Sequence, residues 1–362
     1  MARHGADSDV RTDGQSFAAL KIFSMKLIVH IGMGKAGSST IQATLAANRA
    51  ALAGEDCCYP LTGSDGVSHN ELLQCFSDSI KSRLVDDEME FDRSNYLREL
   101  DSEISQSECE RVVLSSEYLF YMSERQIADL RAYFGSRFSE IVVVAYLRDP
   151  TSYYLSLQQQ IVKASAQITS PADSKSSLRA GIEKYKKIFG EQLSLRPFER
   201  SQLFGECVAQ DFLHNFLPDV LESARIPTIS KNETLSAEAM CVMQIIRRYG
   251  WKEKNNVFDP STQVILRILA DIRRELGGQT TPKLRPNIES CLAFKHLPEL
   301  KWLEETCHIV FHSAAMPDRH LEEPSNWRST NFKDLLIVDS ERVDQTFGLL
   351  VKRLSIARPR DR

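Results

Sequence analysis

The sequence predicts an α/β protein, a mostly parallel sheet flanked by helices with a helical C-terminal part. Three observations predict it. Short, continuously apolar runs recur at residues 26–31, 111–115 and 141–147, the pattern of parallel strands covered on both faces. Each is followed by a stretch with helical periodicity, as strand–helix–strand units require. From Ser236 onward the pattern is mostly helical. At 362 residues, 42% apolar and 26% charged, the chain can bury a large core, which excludes disordered, collagen-like and coiled-coil classes.

Other classes fall on charge and cysteine usage. Lys+Arg total 45 against 49 Asp+Glu, a net charge of −4, so no basic field for nucleic acid is expected. No run reaches the roughly 18 apolar residues of a transmembrane helix. The 8 cysteines are scattered without a CxxC pair, which points away from a disulfide framework and toward a reducing, cytoplasmic setting.

Taken in order, residues 1–24 are polar, mixed in charge and lack a signal peptide's apolar segment; they read as a disordered leader, with Met25 as an alternative start. Residues 26–31 (KLIVHI) form the first strand, Gly32 to Ser39 a glycine-rich turn, and 40–52 a helix. Residues 56–60 suit a short edge strand, and 70–84 and 94–105 suit helices. The second strand, 111–115 (RVVLS), ends at Ser116-Glu117. Ser123 is an N-cap for a helix over 123–134, with Gln126 completing a capping box. The third strand, 141–147 (IVVVAYL), runs into Arg148-Asp149-Pro150 and a helix over 151–162. The Ser- and Ala-rich segment 163–177 reads as a mobile loop. A fourth strand at 193–198 and a helix over 206–216 follow. Residues 25–225 thus form the core, and 226–362 either complete it or form an acceptor-binding subdomain.

The chemistry starts at the glycine turn. Backbone N–H groups in such a turn converge on an anion, and the next helix adds its positive end. A strand, this loop and a helix open a P-loop-type sheet, yet the residue after Gly37 is Ser38, where nucleotide kinases carry lysine. The lysine comes earlier, at Lys35, suited to the far phosphate, while Ser38, Ser39 and Thr40 serve the near one. No convincing magnesium-binding aspartate ends a strand; Asp149 is followed by proline. A second anion site is expected at Arg148, at a strand's carboxyl end, with Ser156 eight residues on in the next helix. A nucleotide phosphorylated at both 5′ and 3′ positions would fill both.

The stretch HIGMGKAGSSTIQ resembles the 5′-phosphosulfate loop of sulfotransferases, usually written PKTGTT, and VVVAYLRDPTSYYLS resembles their 3′-phosphate motif, with the same Arg-to-Ser step. Further echoes are Cys58-Tyr59-Pro60, then His69, SSEYL, RPFERSQL, AQDFL, and Asn232-Glu233-Thr234-Leu235-Ser236. Over residues 26–250 the chain is similar to bacterial carbohydrate-type sulfotransferases. It departs from the loop pattern in four places: Gly34 for proline, Ala36 for threonine, Ser38 and Ser39 for threonines. The Ala36 exchange removes one donor and acts toward weaker cofactor binding.

The resemblance implies 3′-phosphoadenosine 5′-phosphosulfate (PAPS) as donor, adenosine 3′,5′-bisphosphate (PAP) as product, and no required metal. It implies cofactor contacts at Gly32, Gly34, Lys35, Ala36, Gly37, Ser38, Ser39, Thr40, Arg148 and Ser156. Lys35 is expected to stabilise the leaving phosphate. Glu117 is the first candidate for the base, since family members carry a catalytic histidine at that topological place; His69 is the second. The acceptor is expected to be a small molecule or glycan; a lipid-linked one would hold the enzyme at the inner membrane face. Two alternatives stand beside this: a P-loop kinase using ATP and magnesium, and a nucleotide-binding partner module without catalysis. Of the remaining residues, His30 is expected to pack beside the strand. Phe198, Tyr153 and Tyr154 are candidates for adenine stacking or core. Lys184, Lys186 and Lys187 suit a solvated face or a guide for an acidic glycan. TCHIVFH, with Cys307, His308 and His312, reads as a strand rather than a metal site.

Overall fold

The computed structural model describes residues 25–63, 66–77, 91–223, 226–229, 235–250, 257–278, 280–312 and 322–356. The expected leader, Asn232-Glu233-Thr234 and residues 357–362 lie outside them. The chain divides into two compact units: residues 1–147 with 178–231, and residues 148–177 with 232–362. The segment 148–177, read from sequence together with the N-terminal core, clusters with the helical part.

The first unit is built on a five-stranded parallel sheet in the order β2-β3-β1-β4-β5. Strand β1 (Lys26–His30) leads through the glycine turn to helix α1 (Ser38–Ala47). The helix expected over 40–52 breaks at Asn48 (φ −114°, ψ 20°), whose side-chain amide donates to Thr44 O at 2.7 Å, and resumes as α2 (Arg49–Gly54). Competition of an Asn side chain for helix carbonyls is a common reason for such an end. The edge strand β2 is only Cys57–Cys58. In place of a helix over 70–84 the described part holds one short turn, α3 (Leu72–Cys75); residues 78–84 lie outside the described residues. Helix α4 (Arg93–Ser107), strand β3 (Arg111–Ser115), a 3₁₀ turn (Glu117–Tyr121) and helix α5 (Glu124–Gly135) follow. The Ser123–Gln126 capping box forms in full.

Strand β4 (Glu140–Leu147) pairs with β1 in register Val29↔Val143, while Val29 also faces Leu114 of β3. The central strands are apolar because helices cover both faces: Leu27, Ile28, Val29, Val112, Val113, Leu114 and Val143 to Leu147 are all fully buried. Each such side chain contributes roughly 1.5–3 kcal/mol on burial, so these strands dominate the unit's stability. After β4, helix α6 (Pro150–Ile161) belongs to the second unit; helix α7 (Leu178–Phe189), edge strand β5 (Leu193–Pro197), α8 (Val208–Phe216) and α9 (Pro218–Ser223) return to the first.

A buried ion pair ties this part together. Asp211 on α8, fully buried, accepts from Arg196 Nε at 2.6 Å and Nη2 at 2.9 Å, from Tyr146 Oη at 2.7 Å, and from the Phe204 N–H at 2.8 Å. The echoes RPFER and AQDFL therefore meet here as a structural clamp on β4, β5 and α8.

The second unit is helical, as expected beyond Ser236: α10 (Ala237–Ile245), a π-turn (Ile246–Gly250), α11 (Ser261–Leu276), α12 (Pro286–Cys307), α13 (Phe332–Leu335) and α14 (Ser340–Ile356). Its core gathers Tyr154, Met240, Met243, Ile272, Leu292 and Phe332. The segment 163–177 lacks long elements but is tied down: Tyr154 Oη donates to Thr169 O at 2.7 Å, the Thr169 N–H donates to Gln158 Oε1 at 2.8 Å, and Lys295 Nζ donates to Ala172 O. Residues 308–312 are no strand; α12 ends at Cys307, and His308 adopts a left-handed φ of 55° that stops the helix.

Candidate functional site

The glycine loop leaves the carboxyl end of β1, the middle strand of the sheet, where open α/β sheets bind ligands. Two glycines are sterically required. Gly37 is the N-cap of α1 with φ 86°, and a Cβ there would stand 2.6 Å from Phe198 Cε2 and 2.8 Å from Val208 Cγ1. At Gly32 a Cβ would stand 2.1 Å from Ser38 Oγ and 2.9 Å from the His30 ring. Gly34 has room, the nearest atom to a Cβ being Tyr121 Oη at 3.5 Å. Phe198 thus packs against the loop itself, and Tyr154 is core.

Lys35 takes a left-handed conformation, φ 65°, which costs a non-glycine residue roughly 1–3 kcal/mol and is characteristic of ligand-binding turns. The loop is closed by Ala36 N–H to Met33 O at 3.2 Å and Ser38 Oγ–H to Met33 O at 3.4 Å. Ala36 and Ser38 are buried, Ser39 is exposed and Thr40 half-buried. The N–H groups of Gly34, Gly37, Ser38 and Ser39 donate to no acceptor among the described residues. Unsatisfied amides at a helix start, with a lysine in the turn, make a cradle for an anion.

Glu117 opens the 3₁₀ turn that follows β3, the strand beside β1. It is half-buried; burial pushes its carboxyl pKa up, and the Lys35 ammonium draws it back. The two expected catalytic residues are therefore brought within electrostatic reach of each other. Tyr121, at the end of the same turn and half exposed, stands over Gly34. Sequence alone did not mark it.

His69 is placed differently. The Ser115 N–H donates to its Nδ1 at 3.1 Å, so the proton sits on Nε2, which donates to Pro60 O at 2.9 Å. The ring is fully buried edge-on to Tyr59, and burial lowers its pKa to about 4. Both nitrogens are committed to the main chain. In this structure His69 latches β2's exit to β3, with neither ring nitrogen left for a substrate proton.

In the second unit, Arg148 is the residue that follows β4's last, Leu147, and precedes Asp149, the N-cap of α6. Its Nε donates to Ser152 Oγ at 3.1 Å. Ser152 and Ser156 lie four residues apart on the same helix, hence on one face. The Ser156 hydroxyl has no hydrogen-bond partner among the described residues. Burial disfavours the charge on Arg148, a cost an incoming anion offsets. Ser152, which the eight-residue Arg-to-Ser step did not flag, holds Arg148 in place and donates its own hydroxyl proton to Asp149 O at 3.1 Å. Asp149 is spent as a cap, accepting the Ser152 N–H at 2.8 Å.

The basic cluster on α7 is partly engaged: Lys184 donates to Met122 O and Lys187 pairs with Glu124. Burial raises the pKa of the Cys57 thiol to about 12, and all eight cysteines are free. Among the described residues no three His, Cys, Asp or Glu side chains gather as a metal site, and no helix is long and apolar enough to cross a membrane. No family model matches the chain, and no curated protein or solved structure matches it either.

Proposed function

We propose that this chain is a PAPS-dependent sulfotransferase with a P-loop-type sheet, acting on a hydroxyl or amine acceptor of the carbohydrate class. The observation that carries the reading is the turn after β1, where Lys35 is left-handed and the amides of Gly34, Gly37, Ser38 and Ser39 have no acceptor among the described residues. The lysine's place inside the loop favours sulfuryl over magnesium-assisted phosphoryl transfer, for which the loop would carry lysine after Gly37. In this reading the loop holds the 5′-phosphosulfate, and the motif resemblance alone assigns the 3′-phosphate to Arg148 and Ser156.

The reaction is an in-line displacement. The acceptor oxygen attacks sulfur, the S–O bond to the 5′-phosphate breaks, and its electron pair stays on the bridging oxygen. Lys35 stabilises the charge developing there. Glu117 takes the acceptor proton; the burial that raises its pKa brings it nearer to working pH, as a general base requires.

Thermal unfolding with PAP, against ATP plus magnesium, tests this. A ligand at about 100 times its dissociation constant adds roughly 2.7 kcal/mol, a shift of several degrees. The expected result is a shift with PAP that is lost in Arg148→Ala. A shift with ATP and magnesium alone would overturn the reading in favour of a kinase. PAP binding without turnover on a broad panel of sugar acceptors would favour the non-catalytic module.

A further inference from the structure

The residue that closes β1, just before the loop, has a polar atom with no partner. His30 is fully buried, held edge-on by Tyr146 at 6.2 Å and Phe212 at 5.8 Å between ring centroids. Its Nδ1 is hydrogen-bonded to Ser115 Oγ at 2.7 Å, while Nε2 is buried and unpaired. An unsatisfied buried polar group costs about 1–3 kcal/mol, so an apolar residue would be the better choice for packing alone.

Two measurements show where Nε2 points. The position a Cβ would take on Gly32 lies 3.0 Å from His30 Nε2 and 2.1 Å from Ser38 Oγ. The imidazole edge and the Ser38 hydroxyl therefore converge on the space beside Gly32. Ser38 Oγ is itself weakly held, by a single bond of 3.4 Å to Met33 O.

Behind His30 the chain of bonds is fixed. Pro60 O accepts from His69 Nε2, His69 Nδ1 accepts from the Ser115 N–H, and Ser115 Oγ meets His30 Nδ1. A donor role for Nε2 requires the tautomer in which the Ser115 hydroxyl donates to Nδ1 and the His30 proton sits on Nε2. The latch at His69 thus fixes the β3 backbone from which Ser115 reaches His30.

We infer that His30 is a positioning residue for the phosphate loop: when an anion binds, its Nε2–H, unpaired in this structure, donates to Ser38 Oγ and turns the Ser38 hydroxyl proton outward to the 5′-phosphate. The inference rests on reading the loop as a phosphate site. It gives the fully buried His30 a task that packing does not, because Ser38 cannot offer its proton to both Met33 O and an anion. A donor at its back lets it release Met33.

A double-mutant cycle on PAP binding tests this. His30→Phe keeps the ring's bulk and removes Nε2; Ser38→Ala removes the hydroxyl. Each is expected to weaken PAP about tenfold, the size of one hydrogen bond. The double variant should be no weaker than Ser38→Ala alone, and His30→Gln, which restores a donor, should recover most of the loss. Penalties that multiply, in a wild type that binds PAP, would overturn the role of His30 alone. A wild type that binds no PAP would overturn the phosphate reading and this role with it. Where His30→Phe does not fold, nitrogen NMR of histidine-labelled wild type decides: an Nε2–H ring supports the role, and an Nδ1–H ring overturns it.

Discussion

Two buried, neutral histidines make the parallel-sheet unit acid-sensitive in a pH range where its carboxylates are still ionised. Burial lowers His30 to about 3 and His69 to about 4, from an ordinary value near 6.5. Both folded values lie below the unfolded one. Above pH 6.5 neither state binds the proton, and the histidines add no pH dependence. Below it the unfolded chain takes up a proton at each site while the folded chain does not. Stability is therefore complete above pH 6.5 and falls as pH drops, by about 1.4 kcal/mol per unit for each histidine. Between pH 6.5 and 5.5, where the unfolded sites are still filling, the two together remove about 2 kcal/mol, a large share of a typical 5–15 kcal/mol. The loss continues down to about pH 4 for His69 and about pH 3 for His30.

The measurement must report the sheet rather than the whole chain. A third buried histidine, His296, lowered to about 4, sits in the helical unit and contributes there. Native-state amide exchange at Val29 and Leu114, adjacent partners at the centre of the sheet, isolates the first unit. Glu117, whose pKa burial raises, acts in the opposite sense. The expected slope is close to two protons, falling to one in His69→Gln, whose amide can serve both Pro60 O and the Ser115 N–H. A slope below one proton in the wild type, or one unchanged in His69→Gln, would refute the reasoning.

Two further outcomes follow from the same structure. Asp211→Ala removes the acceptor of Arg196, Tyr146 and the Phe204 N–H at once; breaking a buried pair from one side costs about 3–5 kcal/mol, and exchange at the β4 amides should accelerate accordingly, an unchanged rate sinking the clamp. Lys35→Ala should cut sulfuryl transfer by about 10²–10³, roughly 2.7–4 kcal/mol of transition-state stabilisation. Near-normal turnover would remove Lys35 from the chemistry.

The legible parts of this fold are those whose signal is local. Strand β3 matches its expected bounds, and β4 needs only Glu140 added, because a continuous apolar run has no other way to be satisfied in a parallel sheet. The capping box at Ser123 and Gln126 spans three residues and reads directly. The helix break at Asn48 was missed because helix formers on both sides outvote one side chain that turns back on Thr44. The tethering of 163–177 was missed because its anchors, Gln158 and Lys295, lie outside the segment and carry no mark of that use.

The histidines show the same division at the site. From sequence, His69 is a loop histidine with a pKa suited to a base, and His30 is a packing residue. The structure reverses their interest, and the reason is where their partners come from. His69 spends both nitrogens on the main chain of Pro60 and Ser115, and no side-chain pattern records a carbonyl or an amide. His30 has its one partner, Ser115, 85 residues away on the neighbouring strand and leaves Nε2 toward the loop. The loop's glycines follow the same rule: Gly37 is demanded by Phe198 and Val208, so the turn that reads as a local motif is enforced by segments far along the chain. The glycine turn is recognisable from its own residues, but what holds its shape is supplied by β3, β5's exit and α8.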